Sequence, residues 1–151
     1  MPTRSTNPTQ FLTADEQAAV ERAINTVEQQ TSAEVRLLIA RHCWGDIRDK
    51  AQRLFFKHRM DKTERRNAVL ILLITTNREF LIYGDKGIND KVDDPFWQDV
   101  RDLMTEQFRA GWFGDGLCAG IQRIGEPLAT HFPPDPDHDP NELPNEVAFE
   151  Q

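Results

Sequence analysis

Acidic side chains are concentrated in residues 83–94, which read YGDKGINDKVDD. Carboxylate and amide oxygens are the ligands that calcium prefers, and this stretch offers four aspartates and one asparagine. An EF-hand loop needs an acid or amide at its third position and glycine at its sixth, but counting from Asp85 these positions hold Gly87 and Asp90. The EF-hand is therefore excluded. A looser metal site and an ordinary turn before a helix both stay open.

Phosphate-binding and nucleophilic motifs fit the sequence poorly. It contains no G-x-G-x-x-G after its first predicted strand and no G-x-x-x-x-G-K-[ST] at any position. The segment Arg41-His42-Cys43 lacks the glycine that follows Arg-His in histidine phosphatases, and neither Cys43 nor Cys118 has an arginine six positions later. Because no nucleophile, base and oxyanion donor can be named together, covalent catalysis is disfavoured.

The net charge is uneven along the chain. The formal charge is -7, from 25 acids and 18 bases, and residues 132–151 contain six acids and no Lys or Arg. The rest of the chain is nearly neutral, whereas nucleic-acid binding needs clustered positive charge. We therefore expect no nucleic-acid partner.

The sequence lacks targeting and membrane signals. Its first residues, MPTRSTNPTQFLTADEQ, contain no apolar signal core, and no later stretch approaches the roughly 18 apolar residues that a membrane helix requires. We expect a soluble, cytoplasmic protein without a membrane span. Cys43 and Cys118 are too few for a disulfide framework.

The hydrophobic periodicity of the sequence predicts that these residues belong to a mixed α/β fold. The spacing predicts four helices, over residues 13–30, 47–58, 95–110 and 117–128, and three strands, over residues 33–40, 68–75 and 79–83. Residues 112–116 (WFGDG) are predicted to be a tight connector, and Asp94 is the predicted cap of the third helix.

The order of these elements predicts a small mixed sheet with helices on both faces. A helical crossover makes the first two strands parallel, and a short connection makes the third strand antiparallel to the second. The end of the third strand then lies beside the starts of the other two. This arrangement brings Asp85 to the same edge as Glu34, Arg66 and Asn67.

Five motifs in order give the sequence a family resemblance. They are TSAEV at 31–35, RNAVLI at 66–71, YGDKGI with VDD at 83–94, FRAGWFGDG at 108–116 and GIQRIG at 120–125. Over about residues 13–132 the chain resembles the TPM domain family. The resemblance implies a three-layer, Rossmann-like α/β/α sandwich, with calcium bound at one sheet edge in some members and acid phosphatase activity in others.

Carried over to this sequence, the resemblance implies a metal site and leaves three functions open. Asn89 replaces a frequent glutamate of the family loop, so calcium binding should be weak. The leading expectation is a protein-interaction module that binds a divalent cation, with calcium as the expected cofactor. The alternatives are a metal-assisted phosphomonoesterase, with Arg66 or Lys86 neutralising phosphate charge, and a purely structural scaffold. The expected metal ligands are Glu34, Asp85, Asp90, Asp93 and Asp94.

The two ends of the chain complete the predicted organisation. Residues 1–12 are expected to form an N-terminal extension, residues 13–132 the TPM domain, and residues 133–151 an acidic tail rich in proline. The tail is expected either to solubilise the protein as a disordered segment or to be an extended segment. An extended tail would pack back on the domain or dock a protein partner through its large apolar residues, Leu143, Val147 and Phe149.

Overall fold

The computed structural model describes residues 4–134 and 145–150, which form six helices and four strands. The helices are α1 (Pro8–Phe11), α2 (Ala14–Glu28), α3 (Ile47–Lys57), α4 (Lys86–Asn89), α5 (Asp94–Arg109) and α6 (Phe113–His131). The strands are β1 (Glu34–Ala40), β2 (Ala68–Ile74), β3 (Phe80–Gly84) and β4 (Ala148–Glu150). A short 3-10 turn, Met60–Lys62, follows α3.

Side-chain caps mark the starts of α2 and α5. Thr13 and Glu16 form a reciprocal capping box at the start of α2, as the sequence predicts. At the start of α5 the predicted cap is wrong by one residue, because Asp93 accepts the hydrogen bond from the Phe96 N–H at 3.2 Å. Asp94 is itself the first helical residue, where its charge favours the helix dipole.

The sheet has the strand order β3-β2-β1-β4. β1 and β2 are parallel, with Glu34 opposite Ala68, and β2 and β3 are antiparallel, with Val69 opposite Gly84. Both predicted pairings are confirmed. β4 adds a parallel neighbour to β1, so the two outer strands of the sheet are β3 and β4.

Each face of the sheet has its own apolar core. Val35, Leu37 and Ile39 of β1 point to one core, which they share with α2, α5 and α6. Leu38 and Ala40 point to the opposite core, which α3 covers. Every residue of β2 is buried, as expected for a strand covered on both faces. The predicted three-layer α/β/α sandwich is therefore confirmed.

The start of α6 differs from the sequence prediction. The sequence predicts a connector over residues 112–116, but α6 already begins at Phe113. A Cβ on Gly116 would lie 2.7 Å from the Phe108 ring, so this glycine lets α6 pack closely against α5. Within residues 4–134 and 145–150, no helix is long and apolar enough to cross a membrane.

Both terminal segments pack on the sandwich where the structure describes them. Phe11 and Leu12 are buried in the core, although they precede the predicted domain start. Val147 is also buried, and the half-buried Phe149 packs against the same core. These two tail residues therefore contact the domain itself, which is one of the two alternatives for an extended tail. Leu143 lies outside the described residues.

Candidate functional site

The strand ends meet at one edge, as the topology predicts. Glu34 begins β1 opposite Ala68, and the Asp85 N–H donates to the Ala68 carbonyl at 3.0 Å. On the other side, the Glu34 N–H donates to the Asn67 carbonyl at 3.3 Å. The backbones of three chain segments therefore converge here, but the acidic side chains find different partners.

Asp85 is a structural carboxylate in this conformation. Its two oxygens accept from Arg66 Nε and a terminal nitrogen, at 2.6 and 2.8 Å, and one of them also accepts from the Lys86 N–H at 2.7 Å. The hydrogen bonds to Asp85 raise the pKa of the Arg66 guanidinium. Because Asp85 and Arg66 neutralise each other, neither side chain is placed to bind a separate ion. The Lys86 side chain is exposed at the start of α4.

The close packing of α4 against the residues before β2 requires a glycine at position 87. Its N–H donates to the Arg66 carbonyl at 2.9 Å. A Cβ at this position would lie 2.7 Å from that carbonyl oxygen and still closer to the Arg65 carbonyl oxygen. The glycine therefore serves close backbone packing between α4 and the residues before β2.

Glu34 belongs to a buried carboxyl pair. Both Glu34 and Glu28 are almost completely buried. Burial, together with the charge of Glu34, raises the pKa of Glu28 to about 9. Glu28 Oε2 accepts from the Val35 N–H at 3.0 Å, and the Asn145 amide, with its nitrogen turned inward, donates to Oε1 at 2.7 Å. Glu28 therefore stays protonated at neutral pH and caps a backbone group of β1.

The three remaining predicted metal ligands are exposed. Asp90 is the C-cap residue after α4, Asp93 caps α5, and Asp94 is the first residue of α5. Across the described parts of the chain, no three His, Cys, Asp or Glu side chains form a group that could hold a metal ion. The five predicted ligands therefore do not fit a single calcium site in this conformation. Calcium binding stays a prediction.

A cavity of about 280 Å³ lies beside β3. Residues 82–84 and Asn89 line one side of it, and α3 and α5 contribute Arg48, Asp94, Trp97 and Arg101. We call this cavity the β3 groove. Sequence reasoning missed Arg48 and Arg101 because they lie far apart in the chain and carry no motif.

The β3 groove contains donors with few internal acceptors. Two arginines face one lining carboxylate, Asp94, and none of the ion pairs within residues 4–134 and 145–150 involves either arginine. A terminal nitrogen of Arg101 donates to the Gln98 side chain at 3.0 Å. The Trp97 indole N–H is buried and has no acceptor among the described residues. The arrangement is suited to a ligand that supplies oxygen acceptors and negative charge.

Comparison with known proteins agrees with the fold. The family model of the TPM domain matches residues 5–126 of this chain. The chain is similar to the BA42 protein of the psychrophilic bacterium Bizionia argentinensis, solved by NMR, with 39% identity and a TM-score of 0.88 over 96% of this chain and 99% of that one. The N-terminal domain of a P. gingivalis protein, also solved by NMR, shares the fold alone, with 16% identity and a TM-score of 0.66 over 80% and 78% of the two chains. No curated protein matches.

Proposed function

Because this chain belongs to the TPM domain family, and because its β3 groove offers unused hydrogen-bond donors, we propose that it is a protein-interaction module. The observation that carries the proposal is the groove lining, in which Arg48, Arg101 and the Trp97 N–H have no carboxylate partner among the described residues. Of these donors the Trp97 N–H is the buried one, and a buried donor without an acceptor destabilises a protein unless a ligand supplies the acceptor. A bound partner would do so.

Site-specific photo-crosslinking in the native host tests this proposal. A photo-reactive amino acid in place of Asp94 would lie in the groove, and the same amino acid in place of Thr26 would lie on the exposed side of α2. We expect a discrete protein adduct from position 94 that position 26 does not give, and that Arg48→Gln and Arg101→Gln weaken. Identical adduct patterns at the two positions would contradict an interaction role for the groove.

Binding of a divalent cation is a second part of the proposal and is tested separately. With Asp85 paired to Arg66 and Glu34 beside Glu28, the exposed candidates are Asp90, Asp93 and Asp94. Calorimetry with calcium on chelator-treated protein tests this part. A heat of binding that disappears in Asp90→Asn would support it. No heat at millimolar calcium, with the fold intact, would remove calcium from the proposal.

Phosphomonoester hydrolysis is the second candidate function. The observation that favours it is the pair of groove arginines, since a phosphoryl group is recognised by guanidinium donors. Turnover of p-nitrophenyl phosphate should then fall in Arg101→Gln and persist in the matched variant Arg109→Gln, which lies outside the groove on the same helix. Equal turnover by both variants would indicate a contaminating phosphatase. The third reading, a structural scaffold, predicts neither adducts nor turnover.

A further inference from the structure

We propose that the β3 groove binds an extended, acidic peptide segment of a partner protein, which pairs with β3 as an additional strand. The inference rests on the proposed interaction role and states which chemistry the groove recognises. Three independent features carry it: the unpaired edge of β3, the charge of the walls, and the buried indole donor.

The first feature is the outer edge of β3. β3 ends the strand order, and its residues Tyr83 and Leu81 lie opposite Leu70 and Leu72 of β2. The Asp85 N–H bonds to the Ala68 carbonyl in the same ladder. Because donors and acceptors alternate along an antiparallel strand, the N–H and C=O groups of the intervening residues point away from β2.

Ile82 and Gly84 therefore present their backbone groups to the groove, which both residues line. Asn89 Nδ2 donates to the Gly84 carbonyl at 3.0 Å. The Ile82 N–H and C=O have no bonding partner within residues 4–134 and 145–150. An edge strand with free backbone groups is the surface on which peptides add by strand pairing.

The second feature is the charge of the groove walls. Arg48 comes from α3, which covers one face of the sheet, and Arg101 comes from α5, which covers the other. A peptide lying along β3 sends successive side chains toward opposite faces, so each arginine faces a different set of peptide side chains. Opposite charge on the peptide, from Asp or Glu, complements both walls.

The third feature is Trp97, whose side chain is nine-tenths buried, with only 8% exposed. Its Nε1 donor finds no acceptor in the described parts of the chain. A carboxylate or a main-chain carbonyl of the peptide supplies this acceptor. A small anion would satisfy the arginines and the indole but would leave the Ile82 backbone groups unpaired, and this difference favours a peptide.

Nitrogen-15 NMR titration of the full chain tests the inference. The probe is a peptide of about seven residues, the length of an ordinary strand, in which valine alternates with glutamate. We expect chemical-shift changes at the Ile82 and Gly84 amides and at the Trp97 indole N–H. Matched probes carry glutamine instead of glutamate, or N-methyl groups on alternate residues, which remove the donors of one peptide edge. Both should bind at least about fivefold more weakly, since each loses a set of groove contacts.

Substitutions in the groove provide the matching protein variants. Arg48→Gln and Arg101→Gln should each weaken the peptide about fivefold to tenfold, roughly the loss of one charge-assisted contact. Arg53→Gln on α3 and Arg109→Gln on α5 change the net charge equally at exposed positions outside the groove. These two controls should bind the peptide like the unmodified protein.

Any one of four outcomes overturns the inference. One is the absence of shifts at millimolar peptide, another is equal weakening by groove and control variants, and the third is equal binding of the N-methylated probe. Inorganic phosphate that reproduces the peptide shifts, including those at Ile82, also overturns it, because a simple anion site would then suffice. A groove-dependent adduct without peptide binding contradicts only this inference. Peptide binding without any adduct contradicts only the interaction role in the cell.

Discussion

The two edges of the sheet are finished in different ways. On the β1 side, which we call the closed edge, β4 pairs with Leu38, Ile39 and Ala40 and becomes the outer strand, and Glu28 accepts the Val35 N–H where β4 no longer reaches. At the β3 edge, α3 and α5 lie on opposite faces of the sheet, and the Ile82 N–H and C=O have no partner among the described residues. The two outer strands therefore differ in length, since β3 has five residues and β4 has three; we call the β3 side the open edge.

The difference also concerns charge. At the closed edge, Glu28 and Glu150 have hydrogen-bond donors within the chain, whereas the groove arginines at the open edge have no carboxylate partner among the described residues. Charged side chains beside an edge strand discourage pairing with unsuitable chains. In the proposed strand pairing, Arg48 and Arg101 would thus repel basic segments and admit acidic ones.

The largest expected loss of stability comes from a substitution of Gly87, which lets α4 pack at the end of β3. Gly87→Ala would place a Cβ against the Arg65 and Arg66 carbonyl oxygens, so α4 would have to move away. We expect the free energy of unfolding to fall by about 3 kcal/mol, measured by urea denaturation. Gly84→Ala is the control, since its Cβ would meet only side-chain atoms at 3.3 Å. An equal loss in both variants would contradict this explanation.

Detaching β4 from β1 at the closed edge should give the next largest loss of stability. Val147→Asp places a charge in the apolar core, and we expect the tail to detach, at a cost of about 2 kcal/mol. Hydrogen exchange should then accelerate at Arg41, whose N–H donates to the Glu150 carbonyl at 3.3 Å. The β2 amides should stay protected. Val147→Ala, which introduces no charge, should show a smaller change in both measurements.

The buried carboxyl pair should make the closed edge sensitive to pH. The pKa of Glu28 is about 9 in the folded protein, against 4.5 ordinarily, so the folded state keeps a proton that the unfolded chain releases above about pH 4.5. The free energy of unfolding therefore decreases as pH rises from about 4.5 to 9. Glu28→Gln keeps an acceptor for the Val35 N–H and cannot ionise.

We expect Glu28→Gln to be about 1–2 kcal/mol more stable than the unmodified protein near pH 8, and similar to it near pH 4. Thermal unfolding across this range provides the measurement. Glu34→Gln removes the neighbouring charge and should flatten the same pH dependence in part. A Glu28→Gln variant with an unchanged pH profile would show that Glu28 is not the titrating group.

The smallest effect is expected from the ion pair on β4. Lys57 Nζ lies 2.8 Å from Glu150 Oε1, and it lowers the pKa of Glu150, but the lysine side chain is 60% exposed. Lys57→Gln should therefore lower the free energy of unfolding by about 0.5 kcal/mol or less in chemical denaturation. A loss as large as that of Val147→Asp would mean that charge, instead of apolar burial, holds β4 in place.

Periodicity in the sequence predicts the main elements of the sandwich because each has a distinct apolar pattern. The unbroken apolar run of β2 and the capping box of α2 are local signals that the structure confirms. α4 has only four residues, and β4 has three, so neither provides enough repeats for a periodic signal. The early start of α6 was missed because its glycines resemble a turn, although Gly116 and Gly120 pack against α5.

The candidate site is less predictable because it depends on which hydrogen-bond and ion-pair partners the side chains have in the folded chain. Topology correctly brings Asp85 and Glu34 to one edge, but it cannot tell that Arg66 bonds to Asp85 or that Glu28 lies beside Glu34. The β3 groove combines residues from α3, β3 and α5, with no spacing that links them. Its clearest signal, a buried indole without an acceptor, exists only in three dimensions.

The position of β4 in the chain also has a consequence for the order of folding. β4 follows every other described element, while its partner β1 comes early. A nascent chain that has already paired β1, β2 and β3 would still expose β1 to other molecules until the late segment emerges from the ribosome. Contacts between residues so distant in sequence form slowly. We therefore expect β1 to be the strand that chaperones must shield during synthesis.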